Sequence, residues 1–163
     1  MTPKALKAAE VKSLYEKHGS ALAAYVCCCG LDFAAAEDVV QQVFLRLLEG
    51  RAAPLDAPLA YLYRAVRNAS FNLRRDFRHE VELAGDEAWL VSGEGNGDEA
   101  LAVQAALRDL PDEQRETVFL KVWAGMTLQE IASLLEVSIS TVASRYRYAL
   151  EKLRERLHPV ARH

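Results

Sequence analysis

The stretch TLQEIASLLEVSISTVASRYRYALEKLRERL runs from Thr127 to Leu157. Its first four residues have the Thr-x-x-Glu form of a capping box, in which hydroxyl and carboxylate each satisfy an orphan backbone N–H, so a helix starts there and carries Ile131, Ala132, Leu134 and Leu135. Three residues, Glu136-Val137-Ser138, separate it from a second helix that either Ser138 or Ser140 can cap. Two helices joined by a three-residue turn, the second rich in arginine, form the helix-turn-helix pattern. Val142, Tyr146, Ala149 and Leu153 recur at steps of four, three and four and predict the buried stripe of the second helix. The opposite face presents Ser140, Ala143, Ser144, Arg147 and Tyr148, where a recognition helix meets base edges. Thr141 and Arg145 lie at its flanks, suited to phosphates, and Arg154 and Arg156 point further along to solvent or backbone. An arginine-rich terminal helix by itself is equally a solvated face; the capped, correctly spaced helix before it is what favours DNA.

Upstream, Leu101, Val103, Ala106, Leu107 and Leu110 predict an amphipathic helix. Pro111 fits the first turn of the next one, whose apolar face is Val118, Phe119, Val122 and Trp123 and which Gly125 ends. Helical spacing recurs in the N-terminal half, and the glycines and prolines are clustered, so the whole chain reads as all-α. With 51% apolar and 26% charged residues it has enough apolar material for buried cores and is not a disordered composition. No apolar run approaches membrane-spanning length and the N-terminus lacks a secretory apolar block, so the expected compartment is the cytoplasm.

Charge becomes informative when counted by segment. The net charge is −3, yet residues 60–79 carry five basic and one acidic group and residues 139–163 carry six and two, while residues 80–99 carry seven acids and no base. Phosphate attraction depends on the local field, so two basic islands are compatible with nucleic-acid binding by an acidic protein. The acidic strip HEVELAGDEAWLVSGEGNGDE, from His79 to Glu99, also reads as a flexible linker because its glycines interrupt any helical period. Two small helical domains are therefore expected, residues 8–78 and 99–158, joined by residues 79–98. Trp89 and Leu90 stand out within the strip and dock either on a neighbouring domain or on a partner.

The segment Leu107–Leu157 resembles region 4 of bacterial sigma-70-type factors, in particular the small extracytoplasmic-function group. The likeness rests on Leu110-Pro111, Gly125, Glu130-Ile131-Ala132 and Thr141-Val142-Ala143-Ser144-Arg145. Glu136 stands where the turn usually has Gly, and Ala143 where Lys or Arg is frequent. AAAEDVVQQVFLRLLEG, Ala34 to Gly50, resembles region 2 of the same family through Ala36, Glu37, Asp38, Gln41 and Phe44, with Gln42 in place of the usual Glu. PLAYLYRAVRNASFNLRRDFRHE, from Pro58, continues the resemblance through Leu62, Asn68 and Arg75, with Tyr61 for Trp and Asn72 for Asp.

Periodicity predicts that Val40, Val43, Phe44 and Leu47 face a core and that Asp38, Gln41, Gln42 and Leu45 share the outer side. The next helix is expected to bury Leu62, Val66, Ala69 and Leu73 and to leave Arg64, Arg67, Arg74, Arg75 and Arg78 outside. The resemblance implies that Asp38, Gln41, Gln42 and Leu45 meet core RNA polymerase. It also implies that Tyr61, Arg64, Arg67, Asn68, Asn72 and Arg75, with the loop Arg51–Pro58, meet the minus-10 promoter element and an unpaired base. Ser140, Thr141, Ser144, Arg145, Arg147 and Tyr148 would then read the minus-35 element. Tyr61 and Tyr63 are each suited either to base stacking or to core packing. Promoter DNA, core polymerase and an anti-sigma factor are the partners so implied, and the function is promoter-specific initiation. A stand-alone helix-turn-helix regulator is the alternative.

Cys27-Cys28-Cys29 fan around a helix at about 100° per residue, so they cannot converge on one metal, and no other Cys exists to complete a zinc site. They are expected as small buried residues, the alternative being one exposed oxidant-sensing thiol. No phosphate loop, nucleophile elbow or zinc-protease motif is present, and no metal, cofactor or enzymatic activity is expected.

Overall fold

A computed structural model describes residues 6–50, 57–76 and 97–158. Trp89, Leu90, Arg78, most of the acidic strip and most of the loop before Pro58 lie outside the described residues. The described chain is helical throughout, with no strand, and divides into two compact units, Met1–Gly85 and Asp86–His163.

In the first unit, α1 (Ala8–Cys28) is the central helix, and α2 (Phe33–Leu48) and α3 (Pro58–Asp76) both pack on it. Every residue from Leu22 to Leu31 is buried, as expected of a helix that is apolar all round. The three thiols lie in this stretch at 1%, 3% and 6% exposure, which leaves no exposed oxidant-sensing cysteine. The α1–α2 turn needs Gly30 at φ +105°; a Cβ there would also come within 3.2 Å of the Arg74 guanidinium. That guanidinium donates to the carbonyl of Cys29 at 2.8 Å, so Arg74, expected on the outside, instead ties the end of α3 to the end of α1. Asp32 caps α2 by accepting from the Ala35 N–H at 2.8 Å. Val40, Val43, Phe44 and Leu47 are buried as expected.

The buried stripe of α3 is rotated from the expected one. Leu62 and Val66 are buried and Ala69 and Leu73 half-buried, while Tyr63 and Ser70 join the core. Tyr63 meets Tyr25 edge to face at 5.2 Å, and burial pushes its hydroxyl pKa well up. Ser70 satisfies its hydroxyl on the Val66 carbonyl at 2.6 Å, which is how a polar residue occupies a core position.

The second unit contains α4 (Gly97–Arg108), α5 (Asp112–Val122), α6 (Leu128–Leu135) and α7 (Ile139–Leu157). Helix α7 is its hub, packed against by α4, α5 and α6, and α5 also meets α6. Six consecutive residues, Arg115 to Leu120, are buried. Val122, expected on the apolar face, is instead 53% exposed, because α5 ends there and its neighbours cover the preceding turns. In α4, Leu101 is likewise exposed and Gln104 is buried. Gly125 at φ +71° reverses the chain so that the Met126 N–H reaches the Leu120 carbonyl at 3.0 Å.

Arg115 is 4% exposed and is the polar centre of this unit. Its Nε donates to the Leu107 carbonyl (2.9 Å) and its Nη2 to those of Arg108 (3.1 Å) and Leu110 (2.9 Å), while Nη1 pairs with Asp112 at 3.1 Å. These acceptors are carbonyls of the last residues of α4 and of the turn that follows it, where helix-type bonding runs out; the Leu107 carbonyl also accepts from the Leu110 N–H at 3.1 Å. Arg156 also departs from expectation: it pairs with Asp109 at 2.7 Å, linking the end of α7 to the same corner. Both of those side chains are more than half exposed, so the pair contributes little, about 0–1 kcal/mol.

The capping box before α6 forms as expected: the Glu130 N–H donates to the Thr127 hydroxyl (3.1 Å) and the Thr127 N–H to the Glu130 carboxylate (3.0 Å). The bond from the Thr127 backbone, followed by that from its side chain, favours the ionised carboxylate and holds Glu130 below its ordinary pKa. The folded-state pKa is lowered, so the box contributes at neutral pH and fades as pH falls through that value. Ser138, rather than Ser140, caps α7 by accepting from the Thr141 N–H at 3.1 Å. Between them Glu136 adopts the left-handed conformation, φ 57° and ψ 45°, that the sharp turn requires and that glycine adopts without strain.

Two stability changes follow. Arg115→Ala removes a donor from three carbonyls of this corner and is expected to destabilise the second unit by about 3 kcal/mol in urea denaturation, with Arg115→Lys recovering little because an ammonium lacks the planar fork. Glu136→Gly relieves the left-handed strain and is expected to raise stability in the same assay by roughly 1 kcal/mol.

Candidate functional site

The residues that the sequence singles out fall on three exposed helix faces. On α7, Ser140, Arg147 and Tyr148 are exposed and Thr141, Ser144 and Arg145 half-buried. Ser140, Ser144 and Arg147, at steps of four and three, line the face opposite buried Val142, Ala149 and Leu153; Tyr146, expected in that stripe, is half-buried. The Arg147 guanidinium carbon lies 5.2 Å from the Tyr148 ring centroid, within cation–π range. The N-terminal turn is a cluster of hydroxyls: Ser138 Oγ is 3.1 Å from Ser140 Oγ and 2.8 Å from Thr141 Oγ1. Ser140 and Thr141 are therefore both engaged with the cap through their hydroxyls, and Arg147 lies exposed two turns on. Ile139, 47% exposed at the same tip, is an addition that the period of the buried stripe did not indicate, because helix ends expose residues regardless of phase.

On α3, Arg64, Asn68, Asn72 and Arg75 are exposed and Tyr61 and Arg67 half-buried. Tyr63 is withdrawn into the core at 1% exposure, which removes it as a stacking group. The structure adds Phe71, 37% exposed and in register with Arg64, Asn68 and Arg75 at steps of four, three and four. The face is cationic and polar with one aromatic ring at its centre.

On α2, Asp38, Gln41, Gln42 and Leu45 are all exposed. They do not share one environment. Gln41 and Leu45, with Leu48, form one wall of a groove of about 360 Å³, whose other wall is Ala8, Val11, Lys12 and Tyr15 of α1. Phe44 closes its floor and meets Tyr15 edge to face at 5.1 Å. Asp38 and Gln42 do not line it. Leu45 and Leu48 are 55% and 53% exposed, a large apolar presentation for neighbouring turns of one helix. Tyr15 and Leu48 are not singled out by the sequence; their contribution to a shared groove comes from the packing of α1 on α2. Within the described residues, no group of three metal-ligating side chains comes together and no helix is long and apolar enough to cross a membrane.

The family model for sigma-70 region 2 matches residues 14–79 and that for sigma-70 region 4 matches residues 100–153. The chain is 29% identical over 159 residues to the ECF RNA polymerase sigma factor SigL of Mycobacterium tuberculosis, covering 92% of this chain and 90% of that relative. It is 32% identical over 132 residues to the ECF RNA polymerase sigma factor SigK of Mycobacterium ulcerans, covering 72% and 70%. Two solved structures share the fold. The sigma factor RpoE in complex with the anti-sigma factor NepR from Bartonella quintana aligns with a TM-score of 0.73 at 23% identity, over 91% of this chain and 96% of that one. CnrH in complex with the cytosolic domain of CnrY aligns with a TM-score of 0.65 at 26% identity, over 93% and 89%. The matched regions contain all three faces, and the chain belongs to the ECF group of RNA polymerase sigma factors, the proteins that direct promoter-specific initiation of transcription.

Proposed function

We propose that the three faces divide the work of a sigma factor, with residues 8–78 as the region 2 domain, 99–158 as the region 4 domain and 79–98 as the linker. The observation that carries the division is their chemistry: a hydroxyl-and-arginine face on α7, a cationic face with an aromatic ring on α3, and an apolar groove beside α2. Helix α7 enters the major groove of the minus-35 element. Ser140, Ser144 and Arg147 meet base edges, and Thr141, Arg145 and Tyr148 meet the backbone or the groove wall. The arginine supplies the bidentate fork suited to guanine, and the serines, being short, let the helix approach closely.

Helix α3 engages the minus-10 element through Tyr61, Arg64, Arg67, Asn68, Asn72 and Arg75. Its cations balance backbone phosphate while the asparagines can bond exposed base edges. Core polymerase is held by Asp38, Gln41, Gln42 and Leu45. Leu45 and Gln41 contribute as the rim of the groove, where an apolar side chain from the partner can be desolvated. The protein works by binding, in the cytoplasm, with no chemistry of its own. An anti-sigma factor is its regulatory partner, a reading supported by the likeness to RpoE, which was solved with one.

Run-off transcription with core polymerase tests the division. Arg147→Ala is expected to reduce promoter-specific transcript about tenfold while leaving co-elution with core polymerase intact. Leu45→Asp is expected to do the reverse, weakening co-elution by at least about tenfold because a charge is forced into the groove, with duplex binding by α7 unchanged. Co-elution of Leu45→Asp at wild-type strength would remove the groove from the polymerase interface.

A further inference from the structure

The first turn of α7 carries an apolar side chain that none of the assigned contacts uses. Ile139 stands three residues before buried Val142, in phase with the buried stripe, yet it is 47% exposed. It is the first residue after the Ser138 cap, and Cα–Cβ bonds tilt toward the N-terminus of a helix, so its side chain projects past the helix end. The polar atoms of the same turn are taken up with each other: Ser138 Oγ is 3.1 Å from Ser140 Oγ and 2.8 Å from Thr141 Oγ1. At steps of four, Ile139 is followed by half-buried Ala143 and exposed Arg147. An apolar edge thus runs from the tip of the helix to the arginine, and it includes Ala143, the position where the family frequently has Lys or Arg.

We propose that Ile139, flanked by Ala143, seats the C5-methyl group of a pyrimidine and so makes promoter binding respond to cytosine methylation; this rests on the placement of α7 in the major groove of the minus-35 element. The N-terminal residues of a recognition helix are the ones that reach base edges. An isoleucine offers those edges no donor or acceptor, and the apolar group that a base pair presents in the major groove is the C5-methyl of thymine. A cytosine methylated at C5 presents the same methyl at the same ring position while still pairing with guanine. Two consequences follow from the chemistry of the seat. One position of the element is held to thymine by apolar contact rather than by hydrogen bonds. At that position a methylated cytosine takes the place of thymine and an unmethylated one does not, so methylation is a mark that strengthens binding.

The test uses holoenzyme assembled from the full chain and core RNA polymerase, bound at low temperature to a duplex promoter located by run-off transcription from genomic fragments. Each thymine of the minus-35 element, on either strand, is replaced in turn by deoxyuridine, which pairs in the same way and lacks only the methyl group. One replacement is expected to weaken wild-type binding about fourfold, the worth of one buried methyl group, and to leave Ile139→Ser unaffected, while Ile139→Val keeps the response. With a C·G pair at that position, methylating the cytosine is expected to strengthen wild-type binding about fourfold and to do nothing for Ile139→Ser. The seat is overturned when no replacement changes wild-type binding by as much as about twofold, or when Ile139→Ser responds as strongly as wild type, since coupling between the two methyl-bearing partners is what the proposal requires. A response to deoxyuridine with none to methylated cytosine would overturn the methylation mark and support thymine as the source of the methyl group. Failure of the wild-type chain to give any defined transcript would instead overturn the promoter assignment on which the seat rests.

Discussion

The buried guanidinium of Arg115 is the interaction on which the second unit of this protein depends. A single side chain at 4% exposure bonds three carbonyls around the α4–α5 corner and one carboxylate. Only arginine has five donors in a rigid plane, and only a helix end offers several unpaired acceptors close together. The corner so fixed sets the start of α5, and α5 is the helix against which α6 and α7 pack. The direction in which α7 presents its exposed face is thus inherited from a polar interaction well away from that face. Burying one charge on many acceptors differs from burying an ion pair, because the partner dipoles are already desolvated and gain a donor.

The first unit solves the equivalent problem with apolar contact and a weaker polar tie. Its central helix is buried over ten consecutive residues, and the three small cysteines belong to that packing. Arg74 bonds the last carbonyl region of α1 across a glycine turn too tight for a side chain. One arginine of the basic helix is therefore spent on structure, while Arg64, Asn68, Phe71 and Arg75 remain on the outer face. A sequence of closely spaced arginines can hold both jobs because positions three and four apart share a face, whereas Arg74 and Arg75, one apart, do not.

The three faces differ in a way that suits an ordered set of contacts. The groove by α2 is apolar, as fits a lasting protein–protein contact, whereas the α3 and α7 faces are cationic and polar, as fits exchangeable contacts with phosphates and base edges. The departures from the family pattern also find their place. Glu136 takes the left-handed turn that Gly would take, so the turn keeps its shape at the cost of strain, and Ala143 is half-buried beside exposed Ser140 and Arg147.

Sequence alone determined the helices, the helix-turn-helix and the outward faces of α2 and α7, because these rest on local chemistry: capping residues, periodicity and turn length act between positions a few residues apart. It also pointed to the sigma family through motifs in a fixed order. Tertiary structure decided what depends on distant partners: Tyr63 inside and Phe71 outside, Arg74 and Arg115 as structural ties, Val122 exposed, and Gln41, Leu45 and Leu48 joined with Tyr15 into one groove. An arginine on a helix reads the same whether it meets solvent, a phosphate or a carbonyl forty-five positions away. Only the folded chain brings that carbonyl within reach, because the packing of one helix on another is set by the summed fit of many side chains rather than by any local signal.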